Sequence, residues 1–442
     1  MTKKIFILKS QQSPIETELG EWSQSQNQSR SLNSSDTALD MSYSFQASLV
    51  LPTQDMQIDP QIGIIHLLMF YAEAMGNKLE ELTLVIAKRI SEQVSPVSDN
   101  ILKRLLYYLF QSLDKQSTAY LRQESHKIFY SAFKAIYQFL PNGIVAHFVA
   151  NKAILDAMPA EVDVINIFDF DIGEGIQWAT MIDALGNEQR EVRLISIRPN
   201  EDMIDDPCTT HTRLSFEDTK RRLINHAMFY GVKLKVEEQE LNDLMIEMKN
   251  LKKQNAKKQW FAFNCMVALP HLGRIRRRKD VFEFLTIAKN FLEHATTCCA
   301  SEKGIITLGD GDAWEKFVST SSYNEFLETN IAHFQALLES IEVIFPTQFI
   351  HARTTMEYLF VAPFVSSRAW ASKWEEKKRF GDLKFGFGLE GYEHSKESLM
   401  EAKEMIKEGD SLYGAKIESE NNNEIVMNSR GVQMVKVSCW RC

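Results

Sequence analysis

The chain has 442 residues, 44% of them hydrophobic and 25% charged. That mix excludes collagen, a coiled-coil rod and wholesale disorder, and it leaves ample material for a large core. Fifty basic residues against fifty-nine acidic give a net charge of −9, so no strong positive field draws the whole chain to DNA or anionic lipid. No stretch approaches the ~18 apolar residues of a membrane span. The start, Met1 to Lys9, carries a basic prefix but too short an apolar run for a secretory signal. A reducing, intracellular setting is expected.

Residues 10–48 hold 19 Ser, Gln or Asn. Such a stretch buries too little apolar surface to offset its ordering entropy. The expectation is a disordered Ser/Gln-rich tail over 1–57. Helical periodicity then begins. Ile64, Leu67, Leu68, Tyr71 and Met75 share one face, and Gly76-Asn77 stops that helix. Leu79, Leu82, Ile86 and Ile90 make a second stripe, broken at Ser95-Pro96. Leu102, Leu105, Leu106, Leu109 and Leu113 make a third, and more helix runs from Ala132 to Ala157 around a Pro141 break. Residues 58–157 are therefore expected to form a helical cap.

From Val162 the texture changes. Val162 to Phe168 is a near-continuous apolar run, as in a strand buried on both faces. Strands at Val192–Ile197, Lys233–Val236, Trp260–Asn264 and Ile305–Leu308 follow, separated by helices. Five strands alternating with helices predict a doubly wound, Rossmann-type parallel sheet within an α/β core over 158–442. Helices Tyr323–Ile341 and onward to Lys377 come next. Two late strands, Leu412–Ile417 and Val432–Val437, flank a polar turn at Asn421–Glu424 and predict an antiparallel edge.

The strongest chemical candidate is the turn after the first strand, Asp169-Phe-Asp-Ile-Gly-Glu-Gly-Ile-Gln177. Ligands in such sheets bind at the carboxyl ends of the strands. Asp171, Gly173 and Gly175 resemble the first motif of S-adenosylmethionine-dependent methyltransferases, which makes them the cleft candidates. The third glycine is Gln177, however. The second strand ends in Ile197-Arg198-Pro199, where nucleotide-type ligands want an acid for the ribose hydroxyls. The cofactor site reads as incomplete, so no cofactor is expected, and the glycines read as a tight strand-to-helix turn.

Other catalytic patterns fail. G-x-S-x-G, H-E-x-x-H and G-x4-G-K-[ST] are all absent. Cys439-Trp-Arg-Cys442 is a lone C-x-x-C, short of the four ligands of a structural zinc site, so no metal is expected. His211 and His226 suit no simple ligand spacing, and Gly309-Asp-Gly-Asp312 reads as a turn. The run Arg274, Arg276, Arg277, Arg278 and Lys279 is a candidate basic patch, for import or phosphate contact, or a solvated loop and first helical turn. No aromatics interleave with it, so direct reading of bases is not expected.

In their combined order these segments resemble the plant GRAS family of transcriptional regulators. Ile165, Asn166, Ile167, Phe168 and Asp169 stand where the family has V-H-I-I-D, with Asn166 for its His. Ser438, Cys439 and Trp440 stand for the terminal S-A-W. Ile64 to Leu113 resembles the first leucine-rich region and 214–244 the second. The remaining blocks fall at 158–205, 258–350 and 353–442. Asp171-Ile-Gly-Glu-Gly175 and Trp374-Glu-Glu376 are similar to the second-type nodulation-signalling branch. The resemblance implies a nuclear, non-enzymatic co-regulator in plant signalling. It would assemble as a hetero- or homodimer with other GRAS proteins or transcription factors, touch DNA indirectly, and avoid membranes. The leucines at 102, 105, 106, 109 and 113 are the candidate partner interface. Two other functions stay open: a methyltransferase-fold enzyme using the Asp171–Gly175 turn, and a small-molecule-responsive binding module.

Overall fold

In the computed structural model the described residues are 63–110, 128–186, 190–199, 215–251, 258–294, 304–312, 314–380, 389–419 and 422–441. The 1–57 tail expected from composition lies outside them, as do Leu113, His211 and Cys442.

Five strands run parallel: β1 (Val164–Phe170), β2 (Glu191–Arg198), β3 (Lys233–Glu240), β4 (Gln259–Val267) and β5 (Gly304–Asp310). The spatial order is β3-β2-β1-β4-β5, which reverses direction across β1 and β4. That is the doubly wound switch point. The helices between the strands are α6 (Ile176–Ala184), α7 (Phe216–Phe229), α8 (Leu241–Leu251) and α9 (Arg278–His294). Every residue of β1 is buried, because both faces are covered. Ile165 and Ile167 belong to a large core beneath α6, α7 and the N-terminal helices, while Phe168 and Phe170 pack into a second core with α8 and α9.

The C-terminal strands correct the expected edge. Three strands, not two, complete the sheet: β7 (Tyr413–Glu418), β8 (Glu424–Ser429) and β9 (Val432–Arg441). The order continues β5-β9-β8-β7, so β9 lies inside the sheet, antiparallel to β5, and β7 is the edge. The polar turn ends one strand earlier than expected. The two-residue β6 (Glu390–Gly391) pairs with the far end of β9.

The N-terminal helices are α1 (Ile64–Gly76), α2 (Glu80–Ser91), α3 (Ile101–Phe110), α4 (residues 128–139) and α5 (Pro141–Ala157). Pro141 at the first helical position separates α4 from α5. The α5 helix packs on β5 and β9, so it is a layer of the sandwich and packing does not divide at residue 157. Helices from the other half complete the cap: after the short α10 (Trp314–Val318), α11 (Tyr323–Ile344) lies against α1 and α3. Beyond it come α12 (Ile350–Phe360), α13 (Ala362–Val365), α14 (Ser367–Phe380) and, after the strand β6, α15 (Lys396–Met405).

The third stripe faces inward. Leu102, Leu105, Leu106 and Leu109, the candidate partner interface, are all buried. Their helix sits between α11 and α13, with apolar neighbours on nearly every side. Exposed apolar side chains occur on α2, where Leu84 is 61% and Val85 54% exposed, and on α7, where Met228 is 65% and Phe229 82% exposed.

Charge is also buried in the cap. Arg104, Arg353 and Glu357 have fully buried side chains. Arg104 Nε donates to Glu357 at 3.1 Å and its Nη2 to Glu342 at 2.9 Å. Tyr108 donates to Glu357 at 3.1 Å, and Arg353 donates to Glu342 at 3.2 Å. Three helices, α3, α11 and α12, are thus pinned in one register by polar contacts that work only together.

Candidate functional site: the glycine turn

The turn leaves β1 at the switch point and starts α6. Asp171, Gly173 and Gly175 all adopt left-handed φ, at 67°, 55° and 67°. Glycine reaches that region without strain, and Asp enters it more readily than most residues. Backbone space alone does not explain Gly175: a Cβ there would stand 2.9 Å from Thr219 Cγ2 and 3.1 Å from Leu223 Cδ1. Close packing of α7 requires it.

Beneath the turn is a buried polar lattice. Asp169 accepts from Trp178 Nε1 at 2.6 Å and from Asn264 Nδ2 at 2.7 Å. Asn264 is its register partner on β4. Gln177 Nε2 donates to Asn151 and Asn264, each at 3.1 Å, and Thr307 donates to Asn264 at 2.8 Å. The lattice ties β1, β4, β5, α5 and α6. Gln177, which stands in place of a third glycine, is 5% exposed and belongs to it. Burial outweighs the two donors and pushes the Asp169 carboxyl up to about 7.

The cleft above the turn is filled by the chain itself. Arg274 Nη2 pairs with Asp171 Oδ1 at 2.6 Å, and Arg276 Nε donates to Asp171 Oδ2 at 2.6 Å. A Cβ on Gly173 would lie 2.9 Å from Arg274 Nη2, so the close approach that glycine permits is used by a guanidinium of the same chain. From the other side come Phe129, Phe133 and Tyr137, spaced four residues apart on α4 and stacked in sequence at 6.4 and 6.3 Å. His271 and Leu272 close the gap. Two crevices remain, of about 10 and 20 Å³, room for about one water each.

At the end of β2, Arg198 pairs with Glu240 at 2.6 Å; this strand end presents a cation where a ribose would need a carboxylate. Among the described residues the fit to S-adenosylmethionine is poor: Arg274 occupies the turn, and β2 ends in Arg198, paired with Glu240.

The basic run is mostly neutralised. Besides Arg274 and Arg276, Arg278 pairs with Asp310 at 2.9 Å and Asp312 at 3.3 Å, and Arg277 with Asp280 at 3.3 Å. Arg274 and Arg278 are buried; of the five, only Lys279 is exposed. This corrects the solvated patch. The carboxylates of Asp310 and Asp312, together with Asp280 in the first turn of α9, offset the positive charge at that helix start. The Gly309–Asp312 turn is thereby an internal ion-pair partner, joined by Lys373 at 2.5 Å from Asp312.

The signature residues are structural here. Asn166 is fully buried and donates to Gln259 at 3.0 Å. Ser438 donates to Glu424 at 3.1 Å, Cys439 is fully buried, and Trp440 packs into the second core. Burial raises the Cys439 thiol pKa well above its ordinary value. His226 binds Asp183 at 2.5 Å. Sequence reasoning missed the second wall of the cleft, His147, His271 and the α4 aromatics. The four-residue spacing of Phe129, Phe133 and Tyr137 was the available signal.

Comparison with known proteins fits this geometry. The GRAS domain family matches residues 64–441. The chain belongs to the GRAS domain family. Among curated relatives, Protein NODULATION SIGNALING PATHWAY 2 of Lotus japonicus is 27% identical over 404 residues, covering 86% of this chain and 76% of the relative. Scarecrow-like protein 26 of Arabidopsis thaliana is 24% identical, covering 86% and 78%. The crystal structure of SCL7 from Oryza sativa superposes with a TM-score of 0.58 at 18% identity, covering 86% of this chain and all of that one. That likeness supports the GRAS fold, with its mixed α/β core.

Proposed function

We propose that this chain is a non-enzymatic transcriptional co-regulator, acting in the nucleus by assembling with another GRAS-domain protein or a DNA-binding factor. The observation that carries the reading is a contrast between two surfaces. The cleft where an α/β enzyme would hold its ligand is filled by Arg274, Phe133 and His271. The cap, by contrast, leaves Leu84 and Val85 bare on α2, with Leu79 40% exposed at the helix start. Bare apolar side chains of this size on a cap helix offer contact area to a partner protein. Similarity to the NODULATION SIGNALING PATHWAY 2 relatives supports a role in plant signalling of that kind. Among the described residues no helix is long and apolar enough to cross a membrane. DNA contact is indirect in this reading, since four arginines of the Arg274–Lys279 run are paired with carboxylates of the same chain.

Leu84→Glu with Val85→Glu is expected to weaken pull-down of a GRAS-domain partner at least tenfold, on the scale of about 1.4 kcal/mol per decade. The thermal midpoint should stay within about 2 °C, because both side chains already face solvent. Undiminished capture by a folded variant would remove α2 from the mechanism.

A further inference from the structure

We propose that the crevice at the glycine turn is a guanidinium-binding site, occupied in this structure by the chain's own Arg274. Its walls suit a planar organic cation. Asp169, Asp171 and Glu174 line one crevice, and Phe133 lies against both. The left-handed turn at Gly173 brings the bare backbone close to the guanidinium, since even a Cβ would stand 2.9 Å from Arg274 Nη2. Asp171 accepts one guanidinium on each oxygen, Arg274 on Oδ1 and Arg276 on Oδ2.

An independent feature points to a ligand. His271 is 3% exposed, lines both crevices, and neither ring nitrogen has a partner. Leaving such groups unpaired in the interior is unfavourable. Burial, with the neighbouring His147 and Arg274, holds His271 neutral, so it keeps one acceptor nitrogen for an incoming N–H. The carboxylates of Asp171 and Glu174 facing the Phe133 ring make an organic cation the fitting class.

The site is tested by vacating it. In Arg274→Ala the thermal midpoint should fall by several degrees and recover at least half of that loss in 5 mM methylguanidinium, well below denaturing concentrations. Methylguanidinium should leave the wild type, Arg274→Ala with Asp171→Asn, and sodium chloride controls unshifted. Should Arg274→Ala fail to fold, Arg274→Ser serves, since it vacates the same guanidinium position while keeping a polar group beside Asp171. Calorimetry on that variant should then show saturable methylguanidinium binding, tenfold weaker when His271→Phe is added. No saturable binding in either single variant, or equal rescue by sodium chloride, overturns the proposal and leaves Arg274 a purely structural clamp.

Discussion

Replacing Arg104 with alanine is expected to lower the free energy of unfolding by about 3–5 kcal/mol, the usual cost of removing one partner from a buried ion pair. The reason is arithmetic of charge. Arg104 and Arg353 face Glu357 and Glu342; deleting one cation leaves Glu357 buried beside a single guanidinium. Glu357 is already strained in this sense. Burial, opposed by Arg104, Tyr108 and Arg353, lifts its carboxyl up to about 7. Denaturant titration of Arg104→Ala checks the figure. Glu342 is partly exposed, at 27%, so Glu342→Gln should cost well under half as much. If the two variants lose the same amount, burial is not what sets the energy.

Acidification should destabilise the protein by about 1.4 kcal/mol per pH unit between roughly pH 6.5 and 4.5, the scale of one proton per unit. Four buried histidines drive the loss. Burial lowers His147 to about 3 and His394 to about 4, and it also lowers His271 and His333. Each stays neutral when folded but takes up a proton when unfolded, so its contribution is present above the unfolded value of about 6.5 and is lost as pH falls. Asp169 and Glu357, raised to about 7, act oppositely, as does Glu376, also raised by burial. Those carboxyls are protonated in the folded state and ionised in the unfolded one, so they add stability as pH falls through 7. Of the groups with large shifts, three histidines stand against two carboxyls, which leaves about one proton; His333 and Glu376 are shifted in opposite senses and offset each other. Unfolding free energies at pH 7, 6 and 5 test the slope. His271→Phe with His394→Leu should cut it by about half or more; a flat profile in the wild type would contradict it.

The core was more legible than the surface. The five parallel strands stood out because a strand covered on both faces must be apolar along its length, as Val164–Phe170 is. The antiparallel end was harder. Glu424–Ser429 reads as polar at Glu424, Asn428 and Ser429, yet it is a buried interior strand because Lys436 and Ser438 of β9 bond Glu424. No local pattern shows that a carboxylate will meet its cation twelve residues later. Periodicity marks the stripe on α3, but that it is covered by α11 and α13, more than two hundred residues away, is not local information. The glycine turn was found from spacing alone. Its closure was not, because Arg274 and Arg276 read as a basic run until the fold sets them on Asp171.

The proposed non-enzymatic role rests on that closure, and calorimetric titration with S-adenosylmethionine tests it most directly. With Arg274 over Gly173 and space for about one water in each crevice, no heat of binding is expected up to about 1 mM, a limit set by roughly 4 kcal/mol of available affinity. Saturable binding in the micromolar range, lost in Asp171→Asn, would contradict the account and return the turn to cofactor chemistry.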